Sequence, residues 1–176
     1  MVSPLQLQQS AGPYGRSTPA APPERAGQRD PWQLYRFIDA QSLVYPAVCA
    51  ELTAGRKDSH WMWFVFPQLK ALGRSSTAQH FGIAGAEEAR AYRAHPLLGR
   101  RLEHCASLTL GVRGRSALDI FGSPDNLKLK SCMTLFASVA PEAPVFDAVL
   151  ERFYQGEKDA ATLHLLADPK PPAGLQ

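Results

Sequence analysis

Ser123-Pro124-Asp125-Asn126-Leu127-Lys128-Leu129-Lys130-Ser131-Cys132-Met133-Thr134-Leu135-Phe136-Ala137-Ser138-Val139 sets the period by which the rest of the chain is read. On a wheel of about 100° per residue, Leu129, Cys132, Met133, Leu135, Phe136 and Val139 fill one side. Ser131, Thr134 and Ser138 form a narrow polar stripe beside them. A serine followed by proline and an acid is cap chemistry, which predicts a helix over 126–139. Lys128 falls inside the apolar arc and Lys130 on the opposite, solvent side, so the two lysines are not equivalent.

The same spacing of three and four recurs on both sides. Upstream, Pro96 opens a long helix to about Val112 with Leu97, Leu98, Leu102, Cys105, Leu108 and Thr109 on one arc, and Arg101 among them. Acidic residues in a first turn mark a helix at Glu87-Glu88-Ala89-Arg90-Ala91-Tyr92, ending near His95. Ser75 or Ser76 caps 77–81, and Ser116 caps 117–121, which Gly122 ends. Asp30-Pro31 reads as an N-cap and first helical residue, with Leu34, Phe37 and Ile38 behind it. A second helix to Leu52, stopped by Gly55, would pair with this first one as a hairpin. Downstream, 145–154 and 159–166 are amphipathic, the latter capped by Asp159. No stretch alternates with period two, so the expected fold is all-α, a single compact multi-helix domain over 30–167.

Composition bounds the rest. A chain of 176 residues, 45% hydrophobic and 20% charged, suits one core rather than two. Residues 1–29, rich in Pro, Gly and Ser, read as a disordered leader, and 168–176 as a disordered tail. The leader carries Arg16, Arg25 and Arg29 against Glu24, so most of the formal charge of +3 lies outside the domain. That argues against nucleic acid as a partner, which needs a gathered basic face. Cys49, Cys105 and Cys132 show no C-x-x-C spacing and fit reduced thiols in a cytoplasm. No apolar run reaches the roughly 18 residues of a membrane span, and the N-terminus lacks the apolar core of a secretory signal. Cytoplasmic localisation and no membrane partner are the expectations; the oligomeric state is not legible.

One stretch is unusual: His60-Trp61-Met62-Trp63-Phe64-Val65-Phe66-Pro67-Gln68 sets four aromatics behind an imidazole. With Glu88-Ala89-x-Ala91-Tyr92-x-x-His95-Pro96-x-Leu98-Gly99-x-Arg101-Leu102 and Asp125-x-x-Lys128-Leu129-x-Ser131-Cys132-Met133-Thr134-Leu135-Phe136, it resembles bacterial domain-of-unknown-function family 1810. The resemblance covers nearly all of the ordered part. It implies a compact all-α domain and no established activity. The label calpastatin, sometimes attached to members, belongs to a disordered eukaryotic inhibitor, a different object from a folded helical domain. Phe81 stands where members often carry tyrosine, which removes a hydroxyl.

Candidate site residues follow from chemistry. His60, held among Trp61, Trp63, Phe64 and Phe66, could serve as a catalytic base near neutral pH; the alternative is a core histidine bonded to a carbonyl. Trp63 and Gln68 offer a stacking face and an amide. Lys128 and Arg101 are cations at inward positions, where an anion should meet them: a carboxylate of Glu51, Asp58 or Asp125, or a ligand. Ser131 would add a hydroxyl near Lys128, and His95 shares a motif with Arg101. No histidine spacing signals a metal, and no nucleotide-binding glycine motif or G-x-S-x-G is present, so no cofactor is expected. The expected function is a pocket for a small anionic ring-containing metabolite, nucleotide-like, with hydrolysis by His60 an open question. The alternative is a non-enzymatic protein-interaction module with a structural aromatic core.

Overall fold

The computed structural model describes residues 30–168. The expected leader at 1–29 and, but for residue 168, the expected tail lie outside the described residues. Ten α-helices are found among the described residues: α1 Tyr35–Ser42, α2 Tyr45–Thr53, α3 Met62–Val65, α4 Ser76–Phe81, α5 Ala86–Ala94, α6 Leu98–Gly111, α7 Ala117–Phe121, α8 Asp125–Val139, α9 Val145–Tyr154 and α10 Ala160–Ala167. The fold is all-α, with a single isolated parallel bridge between Leu69 and Ile83 among the described residues.

Side-chain caps place three of the ten helix starts. Ser75 accepts the Ala78 amide, Asp159 the Thr162 amide, and Ser116 forms a capping box with Asp119. After α2, Gly55 takes φ +67, its amide reaching Leu52 O and that of Arg56 reaching Glu51 O, the Schellman closure.

Three local readings are corrected. The first helix does not begin at Pro31: Gln33, at φ +53, breaks the chain into a turn, and α1 starts at Tyr35. Asp30 still caps it from a distance, accepting the Leu34 amide at 2.8 Å and the Tyr35 amide at 3.1 Å. Nor do α1 and α2 form a hairpin pair, because α1 packs on α3 and α2 on α6. Ser123 does not cap α8; it is joined to Pro124 by a cis peptide bond, and Pro124 occupies the cap position without a side-chain bond.

The core lies inside a ring of four helices in which α5 and α9 each pack against both α6 and α8. Tyr92, Phe136 and Phe146 run through it, with ring centroids 5.5 and 5.8 Å apart. Leu98, Leu102 and Cys105 close it from α6, and Leu129, Cys132 and Leu135 from α8, all buried. A second apolar group joins the unusual stretch to this core. Trp61 and Phe66 flank the four-residue α3 and meet Phe121 edge-on at 6.4 and 6.1 Å. Such offset and edge geometries suit aromatic rings.

Candidate functional site

The short α3 decides which aromatics are core and which are wall. One turn of helix between Trp61 and Phe66 sends those two rings inward and leaves Trp63 and Phe64 half-buried. Beyond Pro67 the chain runs beside the segment after α4, with the Lys70 amide donating to Ile83 O at 2.8 Å and the Ile83 amide to Gln68 O at 3.0 Å. The two segments approach so closely at Gly82 that a Cβ there would lie 2.5 Å from the Lys70 Cα. Glycine is the residue that permits this.

Between this pair, α4 and α8 lies a narrow cleft of about 230 Å³, its open mouth included, lined by Trp63, Phe66, Gln68, Ala78, Phe81, Gly82 and Lys128. Residues from the first and third of the three motifs therefore meet, and none from the second lines the cleft. The Gln68 amide is half-buried and hydrogen-bonded to nothing among the described residues. The Lys128 ammonium lies 4.6 Å from the centroid of the Trp63 ring and 2.7 Å from Asp125 Oδ1. Asp125 Oδ2 is 2.8 Å from Lys57 Nζ. One carboxylate thus serves two ammoniums, and Asp125 is one of the three carboxylates anticipated for Lys128. Burial pushes the Asp125 carboxyl up, but the hydrogen bonds and charges of Lys128 and Lys57 outweigh it and hold the group below its ordinary 3.8.

The other candidates stand elsewhere. His60 is exposed and lines no part of the cleft. Its loop is fixed by Glu51 of α2, which accepts the Asp58 and Ser59 amides, the Ser59 hydroxyl and the Trp61 indole N–H. That grip turns Trp61 inward and leaves the preceding imidazole in solvent, not among the aromatics. His95 ends α5, and its Nδ1 faces the Leu97 and Leu98 amides at 3.2 and 3.4 Å, capping α6. Arg101 reaches Gln41 Oε1 at 3.3 Å and lies 4.3 Å over Tyr45, with no carboxylate partner among the described residues. Ser131 bonds Asp159 Oδ2 at 3.1 Å while Thr134 accepts the Asp159 amide at 2.8 Å, so the polar stripe of α8 seats the start of α10. Lys130 is not on an open solvent face: its side chain is 21% exposed against 20% for Lys128, because the turn after α9 covers it and supplies Glu157 at 3.2 Å.

Sequence reasoning singled out Phe81 for its missing hydroxyl but passed over Ala78 and Gly82 as wall residues. The spacing of Asp125 and Lys128, one helical turn, was the available signal for their pairing.

A wider and shallower depression is lined by Ala50, Glu51, Ala54, Arg56, Asp58 and Arg115. Its charges are mutually engaged, Glu51 by the loop and Arg56 by Asp58 at 2.9 Å. Among the described residues no group of three or more His, Cys, Asp or Glu side chains is placed to hold a metal ion. Cys105 and Cys132 are buried free thiols, and burial raises both, Cys105 to about 12. No helix among the described residues is long and apolar enough to cross a membrane.

With fold and cleft in view, the chain belongs to the family described as Protein of unknown function (DUF1810), whose model matches residues 31–166. It is similar to the crystal structure of the conserved hypothetical protein Rv1873 from Mycobacterium tuberculosis, at 53% identity and a TM-score of 0.78. The match covers 78% of this chain and 99% of that one. No curated protein matches the chain.

Proposed function

We propose that the protein binds a small anionic metabolite carrying a planar ring, nucleotide-like in its chemistry, in the cleft beside Trp63. The supporting observation is the convergence of Trp63, Gln68 and Lys128 in one concavity, with aromatic walls from Phe66 and Phe81. Aromatic rings supply a stacking surface, an unbonded amide supplies a donor and an acceptor for a ring edge, and an ammonium supplies the anion's partner. Two lysines around one aspartate leave one positive charge uncompensated at the cleft. The imidazole of His60 is outside the cleft, so the reading is of binding and gives His60 no hydrolytic role.

A thermal-shift series with AMP, ADP-ribose, NAD and sugar phosphates tests it. A compound present at about one hundred times its Kd stabilises the fold by about 2.7 kcal/mol. The shift is expected with the nucleotides and is expected to vanish in folded Trp63→Ala and Lys128→Ala. No shift with any of them removes the reading and transfers the aromatics to a purely structural role.

A further inference from the structure

The space in the cleft that a water molecule could occupy is about 10 Å³, far below the roughly 300 Å³ at which small-molecule sites usually begin, and one reason is visible in it. The ammonium of Lys128 occupies a face of the Trp63 ring, 4.6 Å from its centroid. A ligand ring stacked on that face would need its plane at about 3.5 Å, so ammonium and ring cannot share it. We propose that Lys128 is a displaceable cover of the Trp63 face, drawn aside by the anionic group of the incoming ring compound, and that Lys57 is the positioning residue that lets it go. This rests on the reading of the cleft as a ligand site.

The order of burial carries the argument. Side-chain exposure rises from 7% at Lys57 through 15% at Asp125 to 20% at Lys128. Lys57 is the inner member, held by its amide to Ile120 O at 2.7 Å and with its ammonium 5.2 Å from the Trp61 ring. If Lys128 were the sole partner of Asp125, moving it would strand a half-buried carboxylate, which is strongly unfavourable. Because Lys57 stays, Asp125 remains paired and Lys128 departs carrying the one uncompensated charge. The ligand class follows. A ring alone cannot draw the ammonium away from Asp125, and an anion alone gains no stacking surface. A planar ring with one negative group does both.

Calorimetric titration with AMP and with adenosine, on the full chain, separates the possibilities. The wild type is expected to bind AMP at least about tenfold tighter than adenosine, the order expected of one partly screened charge pair. Lys57→Met should weaken AMP by about tenfold, since Asp125 then holds Lys128 alone, and should not strengthen adenosine, whose ring needs the same face. Lys57→Arg restores the second cation and should bind AMP as the wild type does. Lys128→Ala should bring AMP down to the adenosine level with adenosine itself no weaker. Asp125→Asn removes the charge that holds both ammoniums while keeping an amide oxygen beside them, and should tighten AMP; this variant decides the matter if Lys57→Met fails to fold. AMP binding undiminished in folded Lys57→Met, or unimproved in Asp125→Asn, overturns the inference while leaving the site standing. Binding of neither compound to the wild type overturns the site and this inference together.

Discussion

Arg36 Nη2 and Glu88 Oε1 lie 2.5 Å apart with side chains 14% and 4% exposed, and they tie α1 to α5. The same guanidinium donates to the carbonyls of Trp32, Gln33, His80 and Gly82, and Glu88 Oε2 accepts the Ala84 amide at 2.7 Å. Arg36 therefore fixes the backbone around Phe81 and Gly82, one wall of the cleft. Removing one partner of a buried pair leaves the other charge uncompensated, at a cost of about 3 kcal/mol. Glu88→Gln is expected to lose about that much in urea unfolding and to weaken any nucleotide shift measured at the cleft. A loss below about 1 kcal/mol would mean that the four carbonyls suffice for Arg36.

Glu51 and Asp125 make stability depend on acid. Burial raises each carboxyl, but the bonds from Ser59, Asp58 and Trp61 to Glu51, and from the two lysines to Asp125, outweigh it, leaving both below their ordinary 4.5 and 3.8. A folded value below the unfolded one means stability that is complete above about pH 4.5 and lost as the pH falls through the folded values. Urea midpoints are expected to change only gently from about pH 7 to 5 and to fall steeply below about 4.5. Glu51→Gln should cost about 1 kcal/mol at neutral pH, discounted for the partly solvated position, and should flatten part of that fall. A wild-type profile that stays level to about pH 3 would contradict both assignments.

How much of this was legible depends on the distance over which each feature is determined. Helix positions were, because Ser75, Ser116 and Asp159 act within three residues of themselves. The start of α1 was misplaced because nothing local announces the left-handed turn at Gln33. Trp63, Gln68 and Lys128 could be nominated from residue type and helical face, though only the fold brings them together. The outward turn of His60 was hidden, since it is imposed by Glu51 from another helix. Lys130 looked solvent-facing because the wheel of α8 contains no record of the chain that returns over it. Arg36 and Glu88, 52 residues apart, gave no sequence signal of pairing.

His95 introduces a second, milder pH dependence. Its Nδ1 accepts at the start of α6, a role only the neutral ring can play, and burial lowers its pKa below 6.5 against the opposing pull of Asp30. A cation at a helix N-terminus also opposes the dipole. The contribution is therefore complete above about pH 6.5 and lost as the pH falls through the lower folded value. His95→Ala is expected to cost about 0.5 kcal/mol at about pH 7.5, the low end for a cap, and to lose less than the wild type between about pH 7 and 5. Equal losses for the two proteins in that interval would show that His95 does not titrate with unfolding.

At Gly99 the backbone of α6 lies tight against the end of α5, which argues for a mutational sign opposite to helix propensity. A Cβ there would fall inside the van der Waals contact of the Arg93 carbonyl oxygen and 3.0 Å from its carbonyl carbon, both backbone atoms. Replacing a helical glycine by alanine ordinarily gains up to about 1 kcal/mol, but overpacking against atoms that cannot rotate away costs about 3 kcal/mol. Gly99→Ala should therefore destabilise by about 2 kcal/mol. Gly111, at the other end of the same helix, has nothing within 4 Å of its would-be Cβ. Gly111→Ala should stabilise by about 0.5 kcal/mol. Urea unfolding of the two variants against the wild type gives both signs at once. A neutral Gly99→Ala would mean that α5 and α6 can separate without cost, and the turn through His95 would then not be what holds them close.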